Sequence, residues 1–395
     1  MAPTDQPEQR TMNVSSPLDL SALTANASKA GYMERMLDRN AASYKYYWMR
    51  SIIDEVSSGN ESISYVRLVA RMTAHAWYPV VYYHLNLGTS DKLSTVINHI
   101  RTTYELPNDC PQEQIVQLIE ANYHNDKTLA KLVEERTGNV PYRLIRPFYA
   151  DGLAKAKKAD PKWNDPKTDY VIFYLNQKDP DVCFYRILPD RDGIEVNSEW
   201  SAFIRDNLPV ISGWLDYRLT QYLQSRNPSV PAIPLKLHAP VQRELKAATQ
   251  YWSKAIEVCQ LKEIYTGHPF TREHFERHGA LSIDHFVPWS FVLHDEPWNL
   301  TPMFRHVNSS KGDKLPNLAL YLEPFCQQQF NALLALRHDP AMRKTVESYL
   351  QIDPHVHEYA QTDASRDSFA EALVRTVTPL YQIALNQGYA TWEYR

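Results

Sequence analysis

The stretch from Leu281 to Pro316 limits what this chain can become more than any other part of it. Leu281–Phe286 reads as a short strand that ends in an adjacent acid and imidazole, Asp284 and His285. Pro288 and Pro297 bound a loop, Asn299–Phe304 supplies a second strand, and a helix begins at Arg305. The pattern is a β-loop-β-α unit. Six of the fourteen histidines fall between His268 and His306, which concentrates titratable nitrogen around the same unit.

These side chains fit one kind of chemistry. Cleaving a phosphodiester requires an activated water, a cation to offset the charge that develops on the phosphate, and groups that hold the phosphate in line. His285 suits the general base, because a neutral imidazole accepts a proton near pH 7. Asp284 and Asn308 offer the hard oxygen ligands that Mg²⁺ or Mn²⁺ prefers. Asn308 and Lys311, three apart, share a helix face, so Lys311, or alternatively Arg305, is expected to bring a cation to the phosphate; His306, like His294, is expected at a surface or loop position, with a metal or phosphate contact as the alternative for His306. Asn299 is better placed to bond the loop backbone and hold His285 than to bind metal. Asp284 and His285 would leave a regular strand on opposite sides, so the strand must bend at its end for both to serve one site.

In the form D-H-x-x-P-x-S, N-L-x-P and N-x-x-K, the segment resembles the HNH, or ββα-metal, endonuclease superfamily, and its spacing is similar to the HNH domain of RNA-guided CRISPR effectors. The resemblance implies Asp284 and Asn308 as metal ligands, His285 as general base, Asn299 as the structural asparagine, and hydrolysis of DNA that leaves 5′-phosphate and 3′-hydroxyl ends. Many HNH proteins carry C-x-x-C pairs around a structural zinc. Here the upstream counterpart runs from Cys259 to Phe270 without such a pair, so no structural zinc is expected. The N-terminal half, with Ala76–Val80, resembles uncharacterised bacterial HNH proteins associated with defence. That likeness implies an effector of anti-phage defence working with a sensor, an ATPase or a guide complex.

The net charge of −4 provides no global positive field, so contact with nucleic acid needs a local patch. Tyr142–Lys167 is one, with seven basic residues, among them Arg143, Arg146, Lys155, Lys157, Lys158 and Lys162, against three acidic ones. A solvated helix face explains such a run equally well. The four cysteines stand far apart, which argues against a disulfide framework and suits a reducing cytoplasm. No apolar run approaches the length of a membrane span, and no glycine-rich phosphate loop is present.

Elsewhere the apolar spacing is mostly helical. Residues 1–17 read as a flexible leader, 18–160 as a helical domain and 161–224 as a hairpin plus helix, the hairpin pairing Asp169–Leu175 with Val182–Leu188. The prolines at 228, 231, 234 and 240 mark 225–241 as a linker; the nuclease module takes 242–320 and helices fill 321–395. The aromatics Tyr44, Tyr46, Tyr47, Trp48, Trp77, Tyr78, Tyr82 and Tyr83 are expected to be core in preference to base-stacking surfaces. The expected fold is therefore α+β, with a mainly helical N-terminal domain, a hairpin-containing middle and a C-terminal ββα-metal module flanked by helices. The expected function is a metal-dependent DNA endonuclease, free or as an oligomer. A non-cutting binding or scaffold subunit with a relic HNH fold, and an RNA-cutting nuclease or toxin, are the alternatives.

Overall fold

A computed structural model describes residues 18–38, 42–241, 243–362 and 365–395; the leader expected at 1–17 lies outside them. The chain is mainly helical with three small sheets. It divides into two compact units: residues up to Met72 with Leu118–Leu219, and Thr73–Gln117 with Thr220–Arg395. Thr73–Gln117, sequence neighbours of the first unit, thus pack with the second. Helical spacing reveals which face of a helix is buried, but not which partner buries it.

In the first unit the helix Tyr44–Ser57 buries Tyr46, Tyr47, Trp48, Ile52 and Val56 as core. Its one buried carboxylate, Glu55, accepts from Arg67 Nε at 2.9 Å and Arg71 Nε at 2.6 Å, the compensation a buried charge requires. The sheet has the order β1 (Ser62–Ser64), β3 (Gly193–Val196), β2 (Tyr185–Ile187), antiparallel throughout. Gly193 is forced by close approach, since a Cβ there would lie 2.7 Å from the Ile63 carbonyl oxygen.

The hairpin expected over 169–188 does not form. Its second arm is strand β2, but Asp169–Leu175 lies inside the helix Asp165–Lys178, and β2 pairs with β3 instead. Asn164 caps that helix by accepting from the Lys167 amide at 3.2 Å, and Pro166 sits in its first turn. Thr168, Ile172 and Asn176 then fall on one buried face while Tyr170 and Tyr174 turn outward. Asn176 reaches the edge of β2, donating to the Tyr185 carbonyl at 3.0 Å and accepting from the Ile187 amide at 2.8 Å. Capping and this buried amide outweigh the β-rich composition of the segment.

The second unit packs helices Lys246–Cys259, Leu318–Leu336 and Arg366–Asn386 around Phe286, Phe325, Phe330 and Phe369, with the Phe286 and Phe325 rings stacked 4.1 Å apart. Strand β4 (Leu281–His285) pairs antiparallel with β5 (Leu300–Phe304), His285 opposite Leu300, and the helix Arg305–Lys311 follows at once, close to the β-loop-β-α reading. Gln328 and Gln329 close the open side of β5: Gln329 donates to the Leu300 carbonyl at 2.6 Å, and Gln328 accepts from the Thr301 hydroxyl at 2.6 Å. Strand β6 (Leu315–Pro316) pairs parallel with β7 (Thr391–Trp392), tying the last residues beside the module.

The proline-rich segment expected as a linker is packed. Asn227 is buried and exchanges two bonds with the Asn86 backbone, at 2.8 and 2.9 Å, while Ile233 and Lys236 are fully buried. Prolines preset an extended or turn backbone without deciding whether it is solvated. Among the described residues no helix is long and apolar enough to cross a membrane, and all four cysteines are unpaired.

Candidate nuclease site

The site grows from the end of β4. After His285 the strand yields to a loop whose path is fixed by Asn299: its Oδ1 accepts from the Val287 amide at 2.9 Å and its Nδ2 donates to the Val287 carbonyl at 2.9 Å. Asn299 is fully buried, so these bonds replace water that cannot reach it. Pro288 precedes a single helical turn, Trp289–Val292, which ends at Leu293 with φ +55°, a left-handed conformation costly for leucine. That turn sends the His294 carbonyl and the Asp295 side chain back towards His285.

The imidazole of His285 is 1% exposed. Its Nε2 lies 3.1 Å from the His294 carbonyl oxygen and 2.9 Å from Asp295 Oδ1. Both neighbours only accept, so Nε2 carries the proton. On the other side Nδ1 faces Arg243 Nη1 at 3.4 Å, a group that only donates. Independent neighbours on the two sides of the ring therefore agree on one tautomer, with the basic lone pair on Nδ1. His294 is itself pushed down to about 4 by burial and by the nearby His285 imidazole, which keeps it neutral beside the ring.

Asp284, 9% exposed, lines the cleft next to this ring, and its Oδ2 accepts from Lys311 Nζ at 2.8 Å. Lys311 is fully buried and also donates to the His285 carbonyl at 2.9 Å. It therefore does not reach a phosphate, as the helix spacing had suggested; it fixes the Asp284 carboxylate and the end of β4. Asn308, one turn earlier on the same helix, lines the cleft and donates through Nδ2 to Ser282 Oγ at 2.7 Å, which leaves Oδ1 as its free acceptor. One carboxylate and one amide oxygen suit a hard divalent cation whose shell water and phosphate complete. Among the described residues no three His, Cys, Asp or Glu side chains converge to cage a metal; the cleft lining also carries the Asp109 and Asp313 carboxylates.

The cleft measures about 340 Å³. Its far wall comes from Thr73–Gln117: Tyr82, at the end of the π-helical turn Tyr78–Tyr82, and Asn108 with Asp109. Trp77 Nε1 donates to the Asn108 carbonyl at 2.9 Å and holds that loop. Burial raises the Tyr82 hydroxyl above its usual range; Arg243 opposes the shift, and Asp109 and Asp313 add to it.

The other expected contacts lie elsewhere. Arg305 and His306 are exposed and do not line the cleft; they flank Gly279, whose φ of +88° ends the helix Arg272–His278 and whose Cβ would lie 3.2 Å from both. Arg143, Arg146, Lys155, Lys157, Lys158 and Lys162 belong to the first unit. Arg143 is partly spent on Asp165 at 3.3 Å and Asp169 at 3.4 Å, Lys157 lies over the Trp163 ring at 5.7 Å, and Arg146, Lys155, Lys158 and Lys162 are exposed. Arg243, Asp295 and Asp109 belong to no motif and meet His285 or the cleft only in the folded unit, and Tyr82, expected in the core, is half-buried and lines the cleft.

Residues 263–317 match the family model described as HNH endonuclease. The match contains β4, β5 and the helix Arg305–Lys311, with Asp284, His285, Asn299, Asn308 and Lys311, and leaves Arg243 and Tyr82 outside it. HNH domains act on nucleic acid and are generally metal-dependent nucleases. No curated protein and no solved structure matches the chain.

Proposed function

We propose that the HNH module at 263–317 is a working endonuclease site that hydrolyses DNA phosphodiesters, with His285 as general base and Asp284 and Asn308 as the ligands of Mg²⁺ or Mn²⁺. The observation that carries this reading is the polarity of the His285 ring: Nε2 is held by the His294 carbonyl with Asp295 close by, and Nδ1 is left basic, on the side of Arg243, which lines the same cleft as Asp284 and Asn308. Nδ1 takes a proton from water as the water oxygen bonds to phosphorus. The P–O3′ bond breaks, and the 3′ oxygen leaves with a proton from solvent. The protonated ring is stabilised by Asp295, 2.9 Å from Nε2, and held in orientation by the His294 carbonyl. Lys311 keeps Asp284 fixed, and Asn299 keeps the loop that presents His294 and Asp295. A divalent cation at Asp284 and Asn308 would supply charge to offset that building on the phosphate and the departing oxygen.

We further propose an effector role in anti-phage defence, a reading that rests only on the resemblance noted in the sequence of the N-terminal half. In that role the first unit selects the target, by the basic face from Arg143 to Lys162 or by docking a sensor, ATPase or guide complex. The test incubates wild type and His285→Ala with supercoiled plasmid, single-stranded DNA and RNA, each with Mg²⁺, Mn²⁺ or EDTA. Metal-dependent cleavage of DNA that the substitution abolishes is the expected result. Cleavage confined to RNA replaces the substrate, and binding without cleavage under every condition turns the module into a relic grip.

A further inference from the structure

A phosphodiester entering this cleft meets an unfavourable field. Its described lining carries three carboxylates, Asp109, Asp284 and Asp313, and a single cationic side chain, Arg243. Lys311 neutralises Asp284 from beneath but is fully buried, and Arg305 stands outside. Arg243 is therefore the one described lining residue able to meet phosphate charge directly, and it comes from the irregular segment before the helix Lys246–Cys259, outside the matched module.

Its present position adds a second constraint. The guanidinium rests on Nδ1 of His285, the atom that must be open to water for the base to act. At 3.4 Å that contact is long for a hydrogen bond and weak. A guanidinium paired with a phosphate makes shorter and often bidentate bonds to an anion, whereas the imidazole offers it a single neutral acceptor. The exchange of partner is thus downhill. Arg243 is exposed and its Cζ lies 5.3 Å over the Trp289 ring, so the head group can pivot on the indole face without leaving the cleft.

Resting on the nuclease reading above, we propose that Arg243 is a catalytic residue that caps Nδ1 of His285 in the free protein and moves to the scissile phosphate when nucleic acid binds, uncovering the base. Substrate entry and base release become one event: water is activated only when a phosphate has drawn the arginine away.

The test compares wild type with Arg243→Ala, Arg243→Gln and Arg243→Lys, using a labelled DNA duplex. Binding is measured in EDTA across a salt series, and single-turnover cleavage is measured in Mn²⁺. Arg243→Ala and Arg243→Gln are expected to reduce the log–log salt slope of binding by about 0.9, the loss of one phosphate contact, and to slow cleavage by about 10²- to 10³-fold. Arg243→Lys restores the slope as a point charge but only part of the rate, because it lacks the planar fork. Agreement between the Ala and Gln proteins guards against a folding defect in either. Wild-type slope and rate in both overturn the proposal, and so does cleavage faster than wild type, which would make Arg243 a plug alone. A wild-type protein that neither binds nor cuts the duplex fails the nuclease reading, and this inference falls with it.

Discussion

The candidate nuclease cleft and the basic face of the first unit draw on the same kinds of residue, yet they use charge in opposite ways. At the end of β4 the charged and polar groups are matched to particular partners: buried Lys311 against Asp284 and the His285 carbonyl, and half-buried Asp295 beside Nε2 of the buried His285, while Arg243, Asp109 and Asp313 on the cleft lining are exposed. On the face from Arg143 to Lys162 the cations are mostly exposed, and Arg143 is paired with Asp165 and Asp169. Buried ions cost several kcal/mol each to desolvate, so each is specified by its partner. Exposed ions cost little and specify little. The difference teaches where sequence carries functional information: in polar residues whose burial only a particular neighbour makes tolerable.

The contrast breaks first at Lys311. Replacing it with methionine strands the Asp284 carboxylate, and the expected loss is about 3–5 kcal/mol of stability, read as a lower denaturation midpoint in urea; an unchanged midpoint would mean the pair is not buried in solution. Asn299→Ala comes next. It leaves the Val287 amide and carbonyl unsatisfied, costing about 1–3 kcal/mol, and cleavage should fall further than stability alone explains because the loop no longer presents His294 and Asp295.

A smaller effect sharpens the comparison through pH. The His294 imidazole is held at about 4 when folded, against an ordinary value near 6.5. The folded state therefore binds fewer protons than the unfolded chain between those values. Its contribution to stability is complete above pH 6.5 and is lost as the pH falls towards 4. Wild type should lose more melting temperature across that window than His294→Asn, by about 2–4 °C; parallel curves would show His294 to be solvated. The smallest effect lies on the basic face. Changing Lys155, Lys157 and Lys158 to glutamate should shift stability by no more than about 0.5 kcal/mol each. A salt dependence of DNA binding that is untouched by the triple change would remove that face from nucleic-acid contact.

Sequence exposed the centre of the site and little of its surroundings. Asp284, His285, Asn299 and Asn308 could be read because a strand end, a loop and a helix start fix their spacing, and because Pro288 and Pro297 punctuate the loop. Lys311 could be located but its role could not, since a shared helix face does not distinguish cleft from core. Arg243 and Asp109 were illegible because they reach the cleft from segments far along the chain. The same limit explains the misread helix at 165–178: its decisive contacts are the Asn164 cap and the bonds of Asn176 to β2, and neither leaves a mark in apolar periodicity.

The central claim is that Nδ1 of His285 is the base of a metal-dependent nuclease, and its most direct measurement is the single-turnover rate of DNA cleavage in Mn²⁺ for wild type and His285→Ala, at temperatures well below the melting point of each. A loss of about 10²- to 10⁴-fold with duplex binding retained is the predicted result. Cleavage by His285→Ala at the wild-type rate would contradict it.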